Sequence, residues 1–178
     1  TTDNKILLYS YRNINLNDPD FHTSLSFVES TINKSIILIR GINNWMSSYV
    51  TWHNKNQWSV NTDQAISLWI DFTTKAFENK NQYSEIVYFD KFISNQNYRN
   101  YLFNSLKLSH KNEKCLDKCL LYGGGSSFDG STYKDKNAKQ MDVLNRWKHF
   151  ENTVWFKEIQ NNKEIIDLNK KIEDLTIH

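Results

Sequence analysis

The hydrophobic residues of this chain alternate between compact runs and stretches in which they recur every three to four positions. The runs Ile6–Tyr11, Ile36–Ile39 and Glu85–Phe89 are bounded by polar residues and predict three strands. The recurring stretches predict helices over about 18–32, 43–53, 62–77, 97–106 and 112–121, and a final amphipathic helix that carries Ile165, Leu168, Ile172 and Leu175.

Boundary residues and strand composition refine this pattern. Asn43 or Asn44 can cap the second helix, and Thr62 is the predicted cap of the third. Ile36–Ile39 is apolar at every position, which predicts a strand that is buried on both faces. Strands that alternate with helices predict a parallel sheet covered by helices, joined by right-handed crossovers. The expected fold class is therefore α/β.

Composition narrows the classes of function. With 178 residues the chain is expected to form one domain, 1–178; 39% of the residues are hydrophobic and 14% aromatic. A net charge of +2 gives no reason to expect a nucleic-acid partner. The sequence shows neither a membrane-spanning run nor a signal peptide, which favours the cytoplasm. Cys115 and Cys119 share one face of a predicted helix and are interpreted as reduced core residues.

The segment after the second strand is the best candidate for chemistry. Arg40 directly follows the apolar run, and Ser48 and Tyr49 lie on the helix that comes next. This arrangement brings a fixed positive charge and a hydroxyl group to the carboxyl end of a strand, where phosphate groups are commonly bound. The alternative interpretation is a surface arginine and a solvated serine.

Two further segments carry candidate residues. Asp90 follows the third strand and can serve as a helix cap or as the partner of a cation. The glycine-rich loop 123–130 can present backbone amides to an anion, or it can be a flexible turn. Arg146 and Lys148 flank Trp147, which can be a core residue.

Taken together, these motifs resemble the sulfotransferase superfamily. In that family an arginine after a strand and a serine eight positions later bind the 3′-phosphate of 3′-phosphoadenosine 5′-phosphosulfate (PAPS), and Arg40, Ser48 and Tyr49 stand in that register. Asn44 stands where many members carry Asp. Arg146-Trp147-Lys148 is similar to the family's late basic segment. The resemblance implies a three-layer α/β fold like that of P-loop nucleotide kinases. It also implies donor-binding residues: Arg40, Ser48, Gly124, Gly125, Ser126, Arg146, Trp147 and Lys148.

The implied activity is transfer of a sulfuryl group from PAPS to a hydroxyl or amine of a small molecule or carbohydrate, without a metal. The resemblance offers His22 or Glu29 as the catalytic base, although both are better explained as solvated helix residues. The family's P-loop-like turn is missing, because Ser10–Asn13 has no glycine. We therefore expect the chain to correspond to the carboxyl-terminal two-thirds of such a domain, incomplete at its N-terminus. A homo-oligomer is one expected consequence of that truncation. The alternatives are a non-catalytic nucleotide-binding or interaction module and, less favoured, a kinase relative.

Overall fold

A computed structural model describes residues 34–108, 128–130, 132–133 and 137–175. Several features expected from the sequence lie outside these ranges. They are the strand 6–11, the helices near 18–32 and 112–121, His22, Glu29, Cys115, Cys119 and the loop residues Gly124, Gly125 and Ser126.

The described chain combines helices with a small parallel sheet. Its elements are β1 (Ile36–Ile39), α1 (Ile42–Lys55), α2 (Thr62–Glu78), β2 (Glu85–Tyr88), α3 (Phe89–Ser94), α4 (Gln96–Ser105), α5 (Val154–Asn161) and α6 (Lys163–Asp174), with 3-10 turns at Lys80–Gln82, Ala138–Gln140 and Arg146–Phe150. The strands β1 and β2 pair in parallel, with Ile36 opposite Glu85 and Ile39 opposite Tyr88. The mixed α/β class and the parallel pairing are confirmed.

The core lies where α1, α2, α5 and α6 pack against one another. It is built from the apolar stripes of these helices and from the inward face of β1: Ile37, Ile39, Ile42, Met46, Val50, Ala65, Ile66, Trp69, Ala76, Trp155, Phe156, Ile159, Ile165, Leu168 and Ile172 are buried. The helical spacing that predicted α2 and α6 therefore does describe their buried faces.

The second face of the sheet is covered only in part. Ile86 and Val87 are both buried although successive strand residues point to opposite faces, and Val87 packs against Tyr98 and Leu102 of α4. Leu38, which pairs with Val87, is 56% exposed, and Ile36 is 45% exposed. The prediction that β1 is buried on both faces is wrong for the described structure, because α4 covers this face only at β2.

The helix boundaries differ from the predictions in ways that concern the site. Gly41, rather than Asn43 or Asn44, is the N-cap of α1 and provides no capping side chain. Asn61, not Thr62, caps α2, because its Oδ1 accepts from the Gln64 amide over 3.0 Å. Phe89 is the first residue of α3 and not the end of β2.

Candidate functional site

Arg40 and Ser48 meet at the carboxyl end of β1. Because α1 starts two residues after Arg40, its second turn carries Ser48 back beside the end of the strand. Nη1 of Arg40 donates to the Ser48 hydroxyl oxygen over 3.0 Å. The structure therefore brings together the two residues that the sequence singled out eight positions apart.

Other groups hold Arg40 in place. Nη2 donates to the Val143 carbonyl at the long distance of 3.5 Å, and the guanidinium carbon lies 5.3 Å from the centroid of the Phe89 ring. The indole N–H of Trp69 donates to the Arg40 backbone carbonyl over 2.9 Å. These contacts fix both ends of the residue, and the pattern of the sequence indicated neither Trp69 nor Val143.

The charge of Arg40 is not neutralised by a direct ion pair. Among the described residues, no carboxylate forms a salt bridge with Arg40, and its buried Nε has no hydrogen-bond partner. Burial lowers the pKa of Arg40; Asp90 raises it, and the nearby charge of Arg146 lowers it further. The result is a half-buried guanidinium that forms no ion pair with a described carboxylate, and such a group can attract an anion.

Arg146 is a second buried guanidinium near the first. It is only 7% exposed, and its Nη2 donates to Asp129 Oδ2 over 2.7 Å in an ion pair. Its guanidinium carbon lies 4.9 Å from the centroid of the Phe128 ring. Burial lowers the pKa of Arg146, and Asp129 opposes that effect. Arg146 thus links the 3-10 turn Arg146–Phe150 to the described end of the glycine-rich loop.

Trp147 and Lys148 have different environments. The Trp147 indole N–H donates to the Leu144 carbonyl over 3.1 Å, and its ring stacks on Phe156 with centroids 5.6 Å apart. Lys148 is exposed, with Nζ 5.8 Å from the Trp147 ring centroid. Trp147 therefore anchors the segment against α5, whereas Lys148 is free to meet a ligand from solvent.

Asn44 and Asp90 form a second polar centre next to Arg40. Nδ2 of Asn44 donates to Asp90 Oδ2 over 3.0 Å and to the Leu144 carbonyl over 3.1 Å. Burial raises the pKa of Asp90, while the Asn44 hydrogen bond, the Arg40 charge and the Gly41 amide oppose the rise. Asp90 is thus a partner of Asn44 and not a helix cap, because Tyr88 holds the N-cap position of α3.

The segment 143–144 lies over both centres. Its two successive carbonyls accept from Arg40 and from Asn44, so the start of α1 and the end of β1 hold it together. A phosphate that bound to Arg40 would take the place of the weakly bound Val143 carbonyl. The residues present therefore fit an anionic group, provided that this segment moves aside.

Among the residues that the structure describes, no group of three or more His, Cys, Asp or Glu side chains could hold a metal ion. None of the helices in the described ranges has the length and apolar character needed to cross a bilayer.

Compared with models of known protein families, with curated proteins and with solved structures, the chain matches none of them. Its function is therefore inferred from the geometry of the site and from the motifs of the sequence.

Proposed function

We propose that this chain is a sulfotransferase-like protein that binds the 3′-phosphate of PAPS at Arg40 and Ser48. The observation that carries the proposal is the state of Arg40: its Nη1 lies 3.0 Å from the Ser48 hydroxyl, and it makes no ion pair with a described carboxylate. A phosphate bound here would accept from the guanidinium and from the hydroxyl at once.

Arg146 and Lys148 would supply further positive charge from the segment that lies over Arg40. The charge of Arg146 lowers the pKa of Arg40, which supports the idea that one anion could interact with both guanidinium groups. Because like charges in a partly buried site repel, an anion between them would be stabilised by both. The glycine-rich loop residues Gly124, Gly125 and Ser126 are proposed to add backbone amides.

The proposed reaction transfers a sulfuryl group to a hydroxyl or amine acceptor. The acceptor atom forms a bond to sulfur as the bond between sulfur and the 5′-phosphate oxygen breaks. 3′-Phosphoadenosine 5′-phosphate leaves with that electron pair, and the acceptor loses its proton to a base. The fold that this activity requires is the three-layer P-loop type, of which the parallel β1–β2 pair would form part.

Binding calorimetry with 3′-phosphoadenosine 5′-phosphate and with 5′-AMP tests the proposal. A charge-assisted hydrogen bond contributes about 1.5–3 kcal/mol, so the bisphosphate should bind roughly ten- to a hundredfold more tightly. Arg40→Ala should abolish this preference and Ser48→Ala should reduce it. Arg99→Ala is the matched control, because Arg99 donates instead to the Phe92 and Ile93 carbonyls.

Equal affinity for the two nucleotides in the folded wild-type protein would contradict the 3′-phosphate site. Tight binding of the bisphosphate without sulfuryl transfer from PAPS to any hydroxyl or amine acceptor would instead favour a nucleotide-binding module without catalysis.

A further inference from the structure

Two tryptophan rings are exposed at the carboxyl end of α1. Trp52 is 45% exposed and Trp58 is 54% exposed, and their ring centroids lie 4.5 Å apart at an interplanar angle of 89°. The His53 ring is also nearly perpendicular to both, with centroids 5.1 Å and 5.9 Å away. Because tryptophan is usually buried over most of its surface, two indoles that stay half open mark a contact surface.

The end of α1 holds the two rings together. Gln57 adopts the left-handed conformation, with φ +56°, and the Trp58 amide donates to the His53 carbonyl over 2.9 Å. This hydrogen bond is typical of a Schellman motif, which turns the chain back so that the residue after the turn packs on the last turns of the helix. The Asn56 side chain also donates to the Trp52 carbonyl over 2.7 Å. The indoles are therefore presented by an ordered helix end.

The surroundings of these rings are basic. The sequence has neither Asp nor Glu over residues 41–62, and Lys55 is exposed in the last turn of α1. The Lys55 ammonium donates to the Phe128 carbonyl over 2.9 Å. The Phe128 ring lies 5.8 Å from that of His149, and both His149 and the preceding Lys148 are exposed. Aromatic rings and cations thus continue from the end of α1 to the late 3-10 turn.

We propose that this surface, formed by Trp52, Lys55, Trp58, Lys148 and His149, binds single-stranded nucleic acid. Every nucleobase has a π-face that can stack on an exposed indole, and the phosphates between the bases can pair with lysines. The perpendicular indoles form a corner in which a base that stacks on one ring meets the other with its edge. The net charge of +2 gave no reason to expect this partner, because it averages the whole chain.

Two other partners fit the surface less well. A membrane surface would require further apolar side chains beside the indoles, but the neighbouring Asn54, Asn56 and Gln57 are exposed amides. Double-stranded nucleic acid offers phosphates but keeps its base faces stacked inside the duplex. Neither stacking on indole nor pairing with phosphate uses the 2′-hydroxyl, so strands of DNA and RNA are expected to bind alike.

Fluorescence anisotropy of labelled oligothymidylate and oligouridylate, each of about twelve nucleotides, tests the inference on the full chain. Both strands should bind, and a duplex of the same length should bind roughly tenfold more weakly. Two lysine–phosphate contacts predict that affinity for either strand falls roughly sevenfold between about 50 mM and about 200 mM salt.

Matched variants separate the rings from the charges. Trp58→Leu keeps an apolar side chain against Trp52 but removes the ring, so it should weaken binding of either strand roughly tenfold. Tyr101→Leu is its control, because Tyr101 is 40% exposed but lies on α4. Lys55→Gln should weaken binding roughly threefold and reduce the salt dependence, whereas Lys170→Gln, at an exposed position of α6, should change neither.

Arg40 and Ser48 take no part in the inferred contacts, so this test holds or fails independently of the 3′-phosphate site. The inference is overturned if neither strand binds, if Trp58→Leu binds as tightly as Tyr101→Leu, or if the duplex binds as tightly as the single strands. Sedimentation with phosphatidylglycerol vesicles tests the membrane alternative. Vesicle binding that Trp58→Leu abolishes, in a protein that binds neither strand, would likewise overturn it.

Discussion

Asn44 and Asp90, which are 46 residues apart in sequence, are joined by a 3.0 Å hydrogen bond between Nδ2 and Oδ2. The bond ties the first turn of α1 to the first turn of α3, so the helices that follow the two parallel strands are held at one edge of the sheet. Asn44 also donates to the Leu144 carbonyl. The side-chain amide of Asn44 thus connects the ends of both strands to the segment 143–144.

The first prediction concerns this amide. Asn44→Ala removes two hydrogen bonds and leaves the Asp90 carboxylate without its side-chain donor. We expect a loss of about 2–4 kcal/mol in the free energy of unfolding, since a buried group left unpaired is costly. Urea denaturation measures the loss. Asn43→Ala is the matched control: Asn43 is only half-buried and accepts from Gln160 over 3.0 Å. A similar loss in both variants would refute the role given to Asn44.

The second prediction concerns the close approach of Gly41 to Asp90. A Cβ atom at Gly41 would lie 2.6 Å from Asp90 Oδ2, whereas its backbone, with φ −54° and ψ 135°, is accessible to alanine. Gly41→Ala should therefore destabilise the fold by steric conflict alone, by about 1–3 kcal/mol.

A double-mutant cycle with Asp90→Ala isolates this conflict. In the Asp90→Ala background the added methyl group meets no carboxylate but still lies 3.3 Å from the Tyr88 hydroxyl oxygen. Gly41→Ala should therefore cost less there than in the wild type, less than about 1 kcal/mol. An equal loss in both backgrounds would show that the carboxylate is not the obstacle.

The order of strands and helices around the site could be predicted from the sequence, because the patterns that predict a strand or a helix are local. The apolar run before Arg40 and the helical spacing after it predicted β1 and α1. These two elements alone determine that Ser48 returns beside Arg40. The anion chemistry predicted for this pair is tested by the binding experiment with the two nucleotides.

The rest of the site depends on contacts that no local pattern encodes. Trp69 donates to the Arg40 carbonyl, which is 29 residues away in sequence, and Arg146 donates to Asp129, which is 17 residues away. Asn44 looked like a helix cap because asparagine is common there, but tertiary hydrogen bonds to Asp90 and Leu144 use its side chain instead. The exposure of Leu38 likewise depends on how far α4 extends over the sheet, which strand composition does not reveal.

The third prediction concerns the buried ion pair between Arg146 and Asp129. Their side chains are 8% and 27% exposed, and removal of one partner leaves the other charge partly buried. Arg146→Ala should lower the unfolding free energy by about 2–4 kcal/mol. Lys148→Ala, at an exposed position two residues later, should change it by less than about 0.5 kcal/mol.

A double-mutant cycle is the control for this pair, because it compares the loss of the Asp129 charge with and without the Arg146 charge. Asp129→Asn should destabilise the wild type more than it destabilises Arg146→Met, because the second background no longer holds the opposing charge. Additive effects in urea denaturation would mean that the two residues act separately.

The fourth prediction is the pH dependence that Asp90 gives to stability. Burial raises the pKa of Asp90 in the folded state above its ordinary value of 3.8. Between the unfolded and folded pKa values the folded protein holds a proton that the unfolded chain has lost. The stabilisation from protonated Asp90 is therefore complete below the unfolded pKa and is lost as pH rises through the folded pKa.

Asp90→Asn removes this titration, so unfolding free energies of both proteins across pH 3 to 8 measure it. The wild-type value minus the variant value should fall as pH rises above about 4, by at most about 1.4 kcal/mol per pH unit, and then level off. Because the Asn44 hydrogen bond lowers the pKa of Asp90, Asn44→Ala should shift the levelling to higher pH. A difference that is constant or rises with pH would show that the carboxyl group is not stabilised in its protonated form.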